Sequence, residues 1–358
     1  MKANRDKVTT NREKVKTKRE KKLARRERRR KIFLSIGGVL LAAVFVFLMV
    51  WFFGASYPAF EKIAEETFTI QGLKEGISPQ GLCALPEGLE YDFAMCGYMV
   101  KGGPSRVYLV NSKTNEAKYF TMTRNGQAIT SHFGGMTATK NYLMIADGNR
   151  VVRVPLTRAL EAENGAAIGI YDDFETDIGV AFCFYQEEEN LLFVGEFYRE
   201  QNYKTDVSHH LERDGETNYA FVYVYAVDET QEGNLKSNKP ESILSVRGLV
   251  QGIAVSQDRI YLSCSYGLSD SMLYVYSNPL HDQENRSAVD AKVDGVPVYR
   301  LDKGNLLSTL KMPCMSEEIC FSGGKLYILY ESLCNKYKYF VRVRMSKVIA
   351  LPLDQIGV

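Results

Sequence analysis

One short sequence phrase recurs five times along this chain, and it limits the possible fold more than any other feature. The phrase consists of a small residue, an apolar pair, a turn, and then an apolar strand of four or five residues. Its copies span Gln80–Gly97, Gly134–Asp147, Ile178–Glu196, Gln251–Ser265 and Glu317–Glu331. Each copy is followed by at least one further strand-like run, and the copies begin 44 to 73 residues apart. This spacing is typical of four-stranded β-propeller blades with loops of variable length.

Burial explains why such repeats assemble in a ring. A single four-stranded sheet cannot bury both faces, whereas sheets stacked around an axis cover one another. The sequence therefore predicts an all-β, five-bladed β-propeller over residues 67–358, or a six-bladed one if the region 197–250 holds another blade. We expect a strand at Thr67–Ile70 to pair with Val348–Leu353 and close the ring. The alternative fold is a β-sandwich.

The run Ile32–Phe53 contains 22 residues and no charge. As a helix it would be about 33 Å long, enough to cross a hydrocarbon core of about 30 Å. A secretory signal peptide is the alternative, but it calls for a shorter apolar core of about 7–15 residues and a small-residue cleavage site. The sequence therefore predicts a single transmembrane helix that acts as a signal anchor.

Charge predicts the orientation of this helix. Residues 1–31 contain 16 Lys and Arg against 4 Asp and Glu, a net charge of +12, and the remaining 327 residues carry −10. The positive-inside rule places the basic tail, 1–31, in the cytoplasm against anionic lipids. The linker 54–66 and the propeller then lie outside the cell membrane. The tail has no aromatic residue to stack on bases, which disfavours nucleic-acid binding.

The cysteine spacing and the absence of known motifs disfavour several protein classes. Seven cysteines lie on the predicted outer side, where disulfides are allowed, and Cys83–Cys96 and Cys314 or Cys320 with Cys334 are candidate pairs. There is no C-x-x-C, G-x-G-x-x-G, phosphate-binding G-K-S/T, H-E-x-x-H or G-x-S-x-G motif. Thioredoxin-like proteins, dinucleotide oxidoreductases, P-loop ATPases, zincins and α/β-hydrolases are therefore disfavoured.

Polar residues recur at one position of the aligned repeats, where the second strand of a blade ends. These residues are Asp147, Glu196, Ser265 and Glu331. Equivalent positions form a ring around the channel of a propeller, and a second set stands near the starts of the inner strands: His132, Gln251, Glu317 and Glu318. The sequence thus predicts a polar binding site at one mouth of the channel, with Tyr266 and Tyr330 beside it.

Two chemistries suit such a ring. Asp147, Glu196 and Glu331 could hold a hard cation such as Ca²⁺, which takes six to eight oxygen ligands. The ring could instead bind a polyol or sugar, with Glu331 or His132 as the catalytic candidate. In the alternative interpretation, these are ordinary polar strand ends that face solvent.

Short stretches of the repeats also resemble a known class. They are His132-Phe-Gly-Gly, Gln251-Gly-Ile, Ser263-Cys-Ser-Tyr-Gly and Glu331-Ser. Over residues 78–353 the chain resembles NHL-like and gluconolactonase-like β-propellers, especially the membrane-anchored propellers of bacteria. The resemblance implies a propeller fold, and for the gluconolactonase-like branch a metal-assisted hydrolytic activity.

We therefore expect a binding or scaffolding module for a glycan, a peptide or an envelope protein, displayed outside the membrane. The alternative is a metal-assisted hydrolase of the lactonase or glycosidase type that works in the central channel. The sequence leaves open whether the protein is an enzyme.

Overall fold

The computed structural model describes residues 2–53, 55–281 and 291–357, in two compact units, Met1–Ser56 and Tyr57–Val358. The first unit is one helix, α1, Lys2–Phe53. Its segment Lys16–Met49 is long and apolar enough to cross a membrane. The orientation of the helix stays a prediction.

The second unit is a five-bladed β-propeller, which confirms the predicted fold. It begins with the helix α2, Pro58–Ile63, within the predicted linker, and the strand β1, Glu65–Thr69. Blade 1 contains β2 Ile77–Ala84, β3 Phe93–Met99, β4 Arg106–Val110 and β5 Ala117–Arg124, with the short β6 Gln127–Ala128 beside β5. Blade 2 contains β7 Phe133–Ala138, β8 Tyr142–Asp147, β9 Arg150–Pro155 and, after the helix α3 Leu156–Glu161 and the strand β10 Ala166–Gly169, β11 Asp172–Glu175. The strand β10 adds to the edge of blade 1, parallel to β5.

The other three blades follow the same order from the axis outward. Blade 3 contains β12 Phe182–Gln186, β13 Leu191–Gly195, β16 Ala220–Ala226 and β17 Ser242–Val246, with the hairpin β14 Leu211–Arg213 and β15 Glu216–Asn218 inserted. Blade 4 contains β18 Val250–Val255, β19 Arg259–Cys264, β20 Ser271–Ser277 and β23 Leu306–Met312. Blade 5 contains β24 Ser316–Ser322, β25 Lys325–Tyr330, β26 Lys347–Pro352 and the N-terminal strand β1.

The strand β1 closes the ring, as the sequence predicts. It pairs antiparallel with β26, and the Thr67 hydroxyl donates to the Val348 carbonyl over 2.6 Å. Phe68 is fully buried, and its ring lies 4.7 Å from that of Phe93 in blade 1. The two ends of the propeller are therefore held in one sheet, which packs on the neighbouring blade.

Burial along the strands follows their place in the ring. Between neighbouring blades both faces of a sheet are covered, and the strand β16 is buried at every residue. The outermost strand β23 alternates between half-buried and exposed residues, because one of its faces meets water. Continuous apolar runs therefore mark strands that are covered on both faces, and alternation marks the rim.

The polar sequences of two insertions, 200–218 and 279–297, predict surface loops, but the structure shows that both are only partly so. In the first, His209 is buried, with its ring 4.2 Å from that of Phe221. In the second, 282–290 lie outside the described residues, and β21 Ala291–Val293 and β22 Val296–Arg300 extend blade 3, where β22 pairs parallel with β17. Insertions here lengthen blades, since an added strand satisfies an exposed sheet edge.

Candidate functional site

The inner strands of four blades share an irregularity where they approach the axis. The pairing register shifts between Pro79 and Gly81 in β2, and a shift at the equivalent point occurs in β7, β18 and β24. In β2, β7 and β18 the shift coincides with the small-residue start of the repeated phrase, and in β24 it falls at Glu317 and Glu318. A bulge bends the strand and redirects the backbone groups that follow it. The phrase therefore marks the point at which the five strands converge.

Glycine is needed at this point because the backbones nearly touch. A Cβ on Gly252 would lie 2.6 Å from the Glu318 Cα, and one on Gly135 would lie 2.7 Å from the Phe182 Cα and collide with the Glu318 carboxylate. Blade 5 has Glu318 where blades 1, 2 and 4 have glycine. Its side chain fills the space that the glycines leave.

The Glu318 carboxylate joins four blades at the axis. Oε2 accepts hydrogen bonds from the backbone N–H of Leu82, at 2.8 Å, and of Met136, at 2.6 Å. Oε1 accepts one from Cys183 N–H at 3.2 Å. Glu318 is 1 % exposed, and its burial raises the pKa of the carboxyl group well above its usual range, while the three N–H donors oppose that shift. Glu318 therefore links the inner strands of the blades and is not open to a ligand.

A cavity of about 530 Å³ opens beside the starts of the inner strands, and we call it the mouth cavity. Its lining includes five aromatic side chains, Tyr98, Phe197, Tyr203, Tyr266 and Tyr337. Its polar side chains are Gln80, His132, Lys204, Gln251, Glu331 and Lys336. An aromatic wall with a few convergent polar groups is the usual composition of a small-ligand site.

Glu331 lies at the floor of the mouth cavity and is paired with Glu317, which is buried and does not line the cavity. Glu331 Oε2 accepts from the Ser78 hydroxyl at 2.8 Å and from Gln80 Nε2 at 3.3 Å. Burial raises the pKa of Glu317 well above its usual range, and the charge of Glu331 and a hydrogen bond to Glu331 add to this shift. Burial also raises the pKa of Glu331, but the hydrogen bonds from Ser78, Glu317 and Gln80 oppose this shift. Glu317 is therefore the protonated partner, and its O–H donates a hydrogen bond to the Glu331 carboxylate.

His132 and Lys336 both contact Tyr98 at the rim of the cavity. The His132 ring lies 4.3 Å from that of Tyr98, and Lys336 Nζ donates to the Tyr98 hydroxyl at 3.2 Å. Loss of hydration around the ring, followed by the charge of Lys336, lowers the pKa of His132 to about 4. Part of the His132 side chain is nevertheless exposed to solvent. His132 is therefore neutral near pH 7.

The opposite rim is aromatic. Phe197 meets Tyr203 edge to face, with ring centroids 5.4 Å apart, and lies 6.2 Å from Tyr266. The Arg199 guanidinium stacks over the outer face of Tyr266, 4.0 Å from the ring centroid. Stacking of this kind fixes the orientation of the Tyr266 ring before any ligand arrives.

The structure brings together only some of the residues predicted for the site. His132, Gln251, Tyr266 and Glu331 line the mouth cavity. Glu318 lies on the axis, Glu317 under the cavity floor, and Tyr330 is fully buried with its hydroxyl 3.9 Å from the Met312 sulfur.

The other predicted residues occupy equivalent strand ends but bond within and between blades. Asp147 pairs with Arg124 at 3.0 Å. Glu196 accepts from Phe221 N–H and contacts His209 Nδ1, both at 2.9 Å. Ser265 accepts from Met315 N–H at 3.1 Å.

The predicted cation candidates are not assembled into one site. Asp147, Glu196 and Glu331 each bind a different protein partner, as described above. Across residues 2–53, 55–281 and 291–357, no group of three or more His, Cys, Asp and Glu side chains is placed to hold a metal ion. The donor set that Ca²⁺ requires is therefore not provided by these residues.

The seven cysteines are all free and buried, so the candidate pairs Cys83–Cys96 and Cys314 or Cys320 with Cys334 are not formed. Burial raises the pKa of Cys264 to about 12, which keeps this thiol protonated and unreactive. The cysteines act as small apolar residues of the core.

Sequence reasoning missed most of the aromatic and basic lining. Tyr98 lies near the end of β3, whereas Phe197, Tyr203 and Lys204 belong to one loop and Lys336 and Tyr337 to another. The only sequence signal was the clustering of aromatic residues in otherwise polar loops, in Phe197–Tyr203 and in 336–340.

Comparison with known proteins does not assign this protein to a family. No protein-family model matches the sequence, and no characterised protein of similar sequence was found. Among solved structures, hydrazine synthase from Kuenenia stuttgartiensis matches with a TM-score of 0.40 and 11% identity, over 71% of this chain and 81% of that one.

The WD40 domain of coronin from Toxoplasma gondii matches with a TM-score of 0.35 and 9% identity, over 74% of this chain and 56% of that one. These weak similarities carry no functional argument. The resemblance to NHL-like and gluconolactonase-like propellers stays a prediction.

Proposed function

We propose that this protein is a membrane-anchored β-propeller that binds an acidic saccharide in the mouth cavity, outside the cell. The observation that carries the proposal is the lining of that cavity, where aromatic faces stand around polar groups. The apolar C–H face of a sugar ring packs on an aromatic side chain, and the amides of Gln80 and Gln251 and the carboxylate of Glu331 suit its hydroxyl groups.

Charge favours a saccharide that carries a carboxylate. Lys204 and Lys336 are exposed cations on the rim, and Glu331 is the only carboxylate among the described lining residues. Neutral His132 adds a hydrogen-bonding group without adding charge. The cavity is therefore net positive, although the protein outside residues 1–31 carries a net charge of −10.

We do not propose the hydrolase alternative. Two-carboxylate glycosidases hold their carboxyl groups about 5 to 9.5 Å apart so that sugar and water fit between them. Here Glu317 is buried, hydrogen-bonded to Glu331 and absent from the cavity lining. One carboxylate at the cavity suits binding better than acid–base catalysis.

Anchoring rests on the apolar part of α1, and the N-in orientation rests on the charge of the tail. A reporter enzyme fused after Val358, active only outside the cytoplasm, tests both. Activity in the cytoplasm would contradict the orientation.

The binding experiment uses the full-length protein in nanodiscs of zwitterionic lipid. We would screen an oligosaccharide array and then titrate glucuronate- and glucose-terminated hits by calorimetry. We expect the acidic sugar to bind more tightly, and Tyr266→Ala to weaken binding at least tenfold.

Tyr171→Ala is the matched control, because Tyr171 is an exposed aromatic residue outside the cavity. Binding that is equal in both variants, or no saccharide binding at millimolar concentration, would refute the proposal.

A further inference from the structure

A second cavity, of about 740 Å³, lies at the opposite ends of the inner strands, and we call it the base cavity. The ends of β2, β7, β12, β18 and β24 all contribute to it. Its apolar lining includes Leu82, Leu85, Met136, Phe184, Val255 and Phe321. The Phe184 and Phe321 rings meet edge to face, with centroids 5.8 Å apart. The hydroxyl groups of Thr137, Thr139, Ser256 and Ser322 also belong to its lining, so its wall combines apolar and polar groups.

One polar side chain on this wall has no partner. Gln186, the last residue of β12, is 3 % exposed and lines the base cavity. Within the described part of the protein, neither its Nε2 nor its Oε1 has a hydrogen-bond partner. A buried amide without partners destabilises a fold, and such a group in a native protein calls for a reason. Both amide atoms are closed to solvent, so a ligand that offers one acceptor and one donor side by side would satisfy the amide once the side chain turns toward the cavity.

The rim of the base cavity is acidic. Its charged lining residues are Glu87, Glu187, Glu188 and Lys140. Lys140 is already engaged, since its Nζ lies 3.3 Å from a Glu187 oxygen and 3.4 Å from one of Glu229. Glu87 and Glu188 are exposed, and no described residue forms an ion pair with either. The rim therefore attracts a cationic partner and repels an acidic one.

We propose that the base cavity binds a basic peptide segment. An apolar side chain of the peptide enters the cavity, its backbone C=O and N–H pair with Gln186, and flanking Lys or Arg residues face Glu87 and Glu188. A backbone amide presents the adjacent acceptor and donor that Gln186 lacks. An uncharged saccharide gains nothing from the acidic rim, because it has no cation to pair with Glu87 or Glu188. This site is independent of the mouth cavity and of the saccharide proposal.

The test uses the full-length protein in zwitterionic nanodiscs, labelled with methyl-¹³C methionine. The Met136 methyl group, identified by its loss in Met136→Leu, reports on the cavity. The probe is the peptide acetyl-Lys-Arg-Leu-Arg-Lys-amide. The control probes are the same peptide with glycine in place of leucine, and acetyl-Glu-Glu-Leu-Glu-Glu-amide. We expect a saturable shift of the Met136 signal with the first peptide, and binding at least tenfold weaker with either control.

Gln186→Met separates binding from folding. The variant keeps the charge of the protein, so non-specific attraction of a basic peptide is unchanged. We expect peptide affinity to fall at least tenfold, while the melting temperature stays the same or rises by a few degrees because an unpaired buried amide is removed. The double variant Glu87→Lys, Glu188→Lys should also weaken binding at least tenfold, and it changes only exposed residues.

Three results would overturn the proposal. One is the absence of a Met136 shift with the basic peptide. Another is peptide affinity in Gln186→Met equal to that of the wild type. The third is a lower melting temperature in Gln186→Met with binding intact, which would mean that water inside the fold satisfies the amide.

Discussion

Replacing Glu318 with alanine tests whether one carboxylate holds the inner strands together. The change removes the acceptor of three backbone N–H groups from three different blades. A buried hydrogen bond contributes about 1 kcal/mol net, so the loss of three should lower the free energy of unfolding by about 3 kcal/mol.

Glu318→Gln is the matched control. Its amide oxygen can keep the bonds from Leu82 and Met136, but its NH₂ group then faces the Cys183 N–H. One hydrogen bond is lost rather than three, so we expect a loss of about 1.5 kcal/mol. At about 2–4 °C per kcal/mol, the melting temperature should fall by about 6–12 °C in Glu318→Ala and by about 3–6 °C in Glu318→Gln.

The assay is thermal unfolding followed by near-ultraviolet circular dichroism of the tyrosines. The assay uses the tyrosines because the single tryptophan of the sequence, Trp51, lies before the propeller, which itself contains none. A melting temperature of Glu318→Ala within 2 °C of that of the wild type would refute the view that this carboxylate links the blades. A melting temperature of Glu318→Gln below that of Glu318→Ala would refute it as well.

The remaining predictions concern the carboxyl pair, the axis and the closing strand. Because burial and Glu331 raise the folded-state pKa of Glu317, its proton is retained on folding, and stability should fall as the pH rises above about 4.5, the ordinary pKa of a glutamate. Glu317→Gln should flatten this dependence in melting curves between pH 5 and 8, and parallel curves would contradict it. Gly135→Ala should cost about 1–3 kcal/mol in denaturant unfolding, because its Cβ has no space. Gly179→Ala, where a Cβ meets nothing within 4 Å, should cost less than half as much, and equal losses would count against the crowded axis. Phe68→Ala should cost about 3–5 kcal/mol and make the propeller sensitive to protease, and unchanged digestion would mean that β1 is not needed for closure.

The fold could be predicted because the physical demand that creates the repeat is local. Three of the five inner strands need a glycine where they bulge toward the axis, and each has beside it an apolar run that both neighbours cover. Gly135 and Gly252 show that demand directly in the sequence. Closure by β1 was predictable for a similar reason, since an unpaired edge in the last blade requires a strand from elsewhere in the protein.

The site could be predicted only in part, because side-chain direction depends on tertiary contacts. Asp147, Glu196 and Glu331 do occupy equivalent strand ends, but Arg124 and the backbone of Phe221 engage the first two, and Glu331 alone reaches the cavity. Nor does the sequence show that three backbone N–H groups converge on Glu318. That convergence depends on the geometry of four blades, which no single segment encodes.

The pairing of β1 with β26 can form only late in the synthesis of the protein. Thr67 and its partner Val348 are 281 residues apart in the sequence. At about 5–20 residues per second, a ribosome needs about 14–56 s to travel between them. During that interval β1 has left the ribosome without its partner, and blade 5 does not yet exist. The nascent protein therefore passes through an open ring with unpaired edges, and this is the stage at which a chaperone or a protease would meet it.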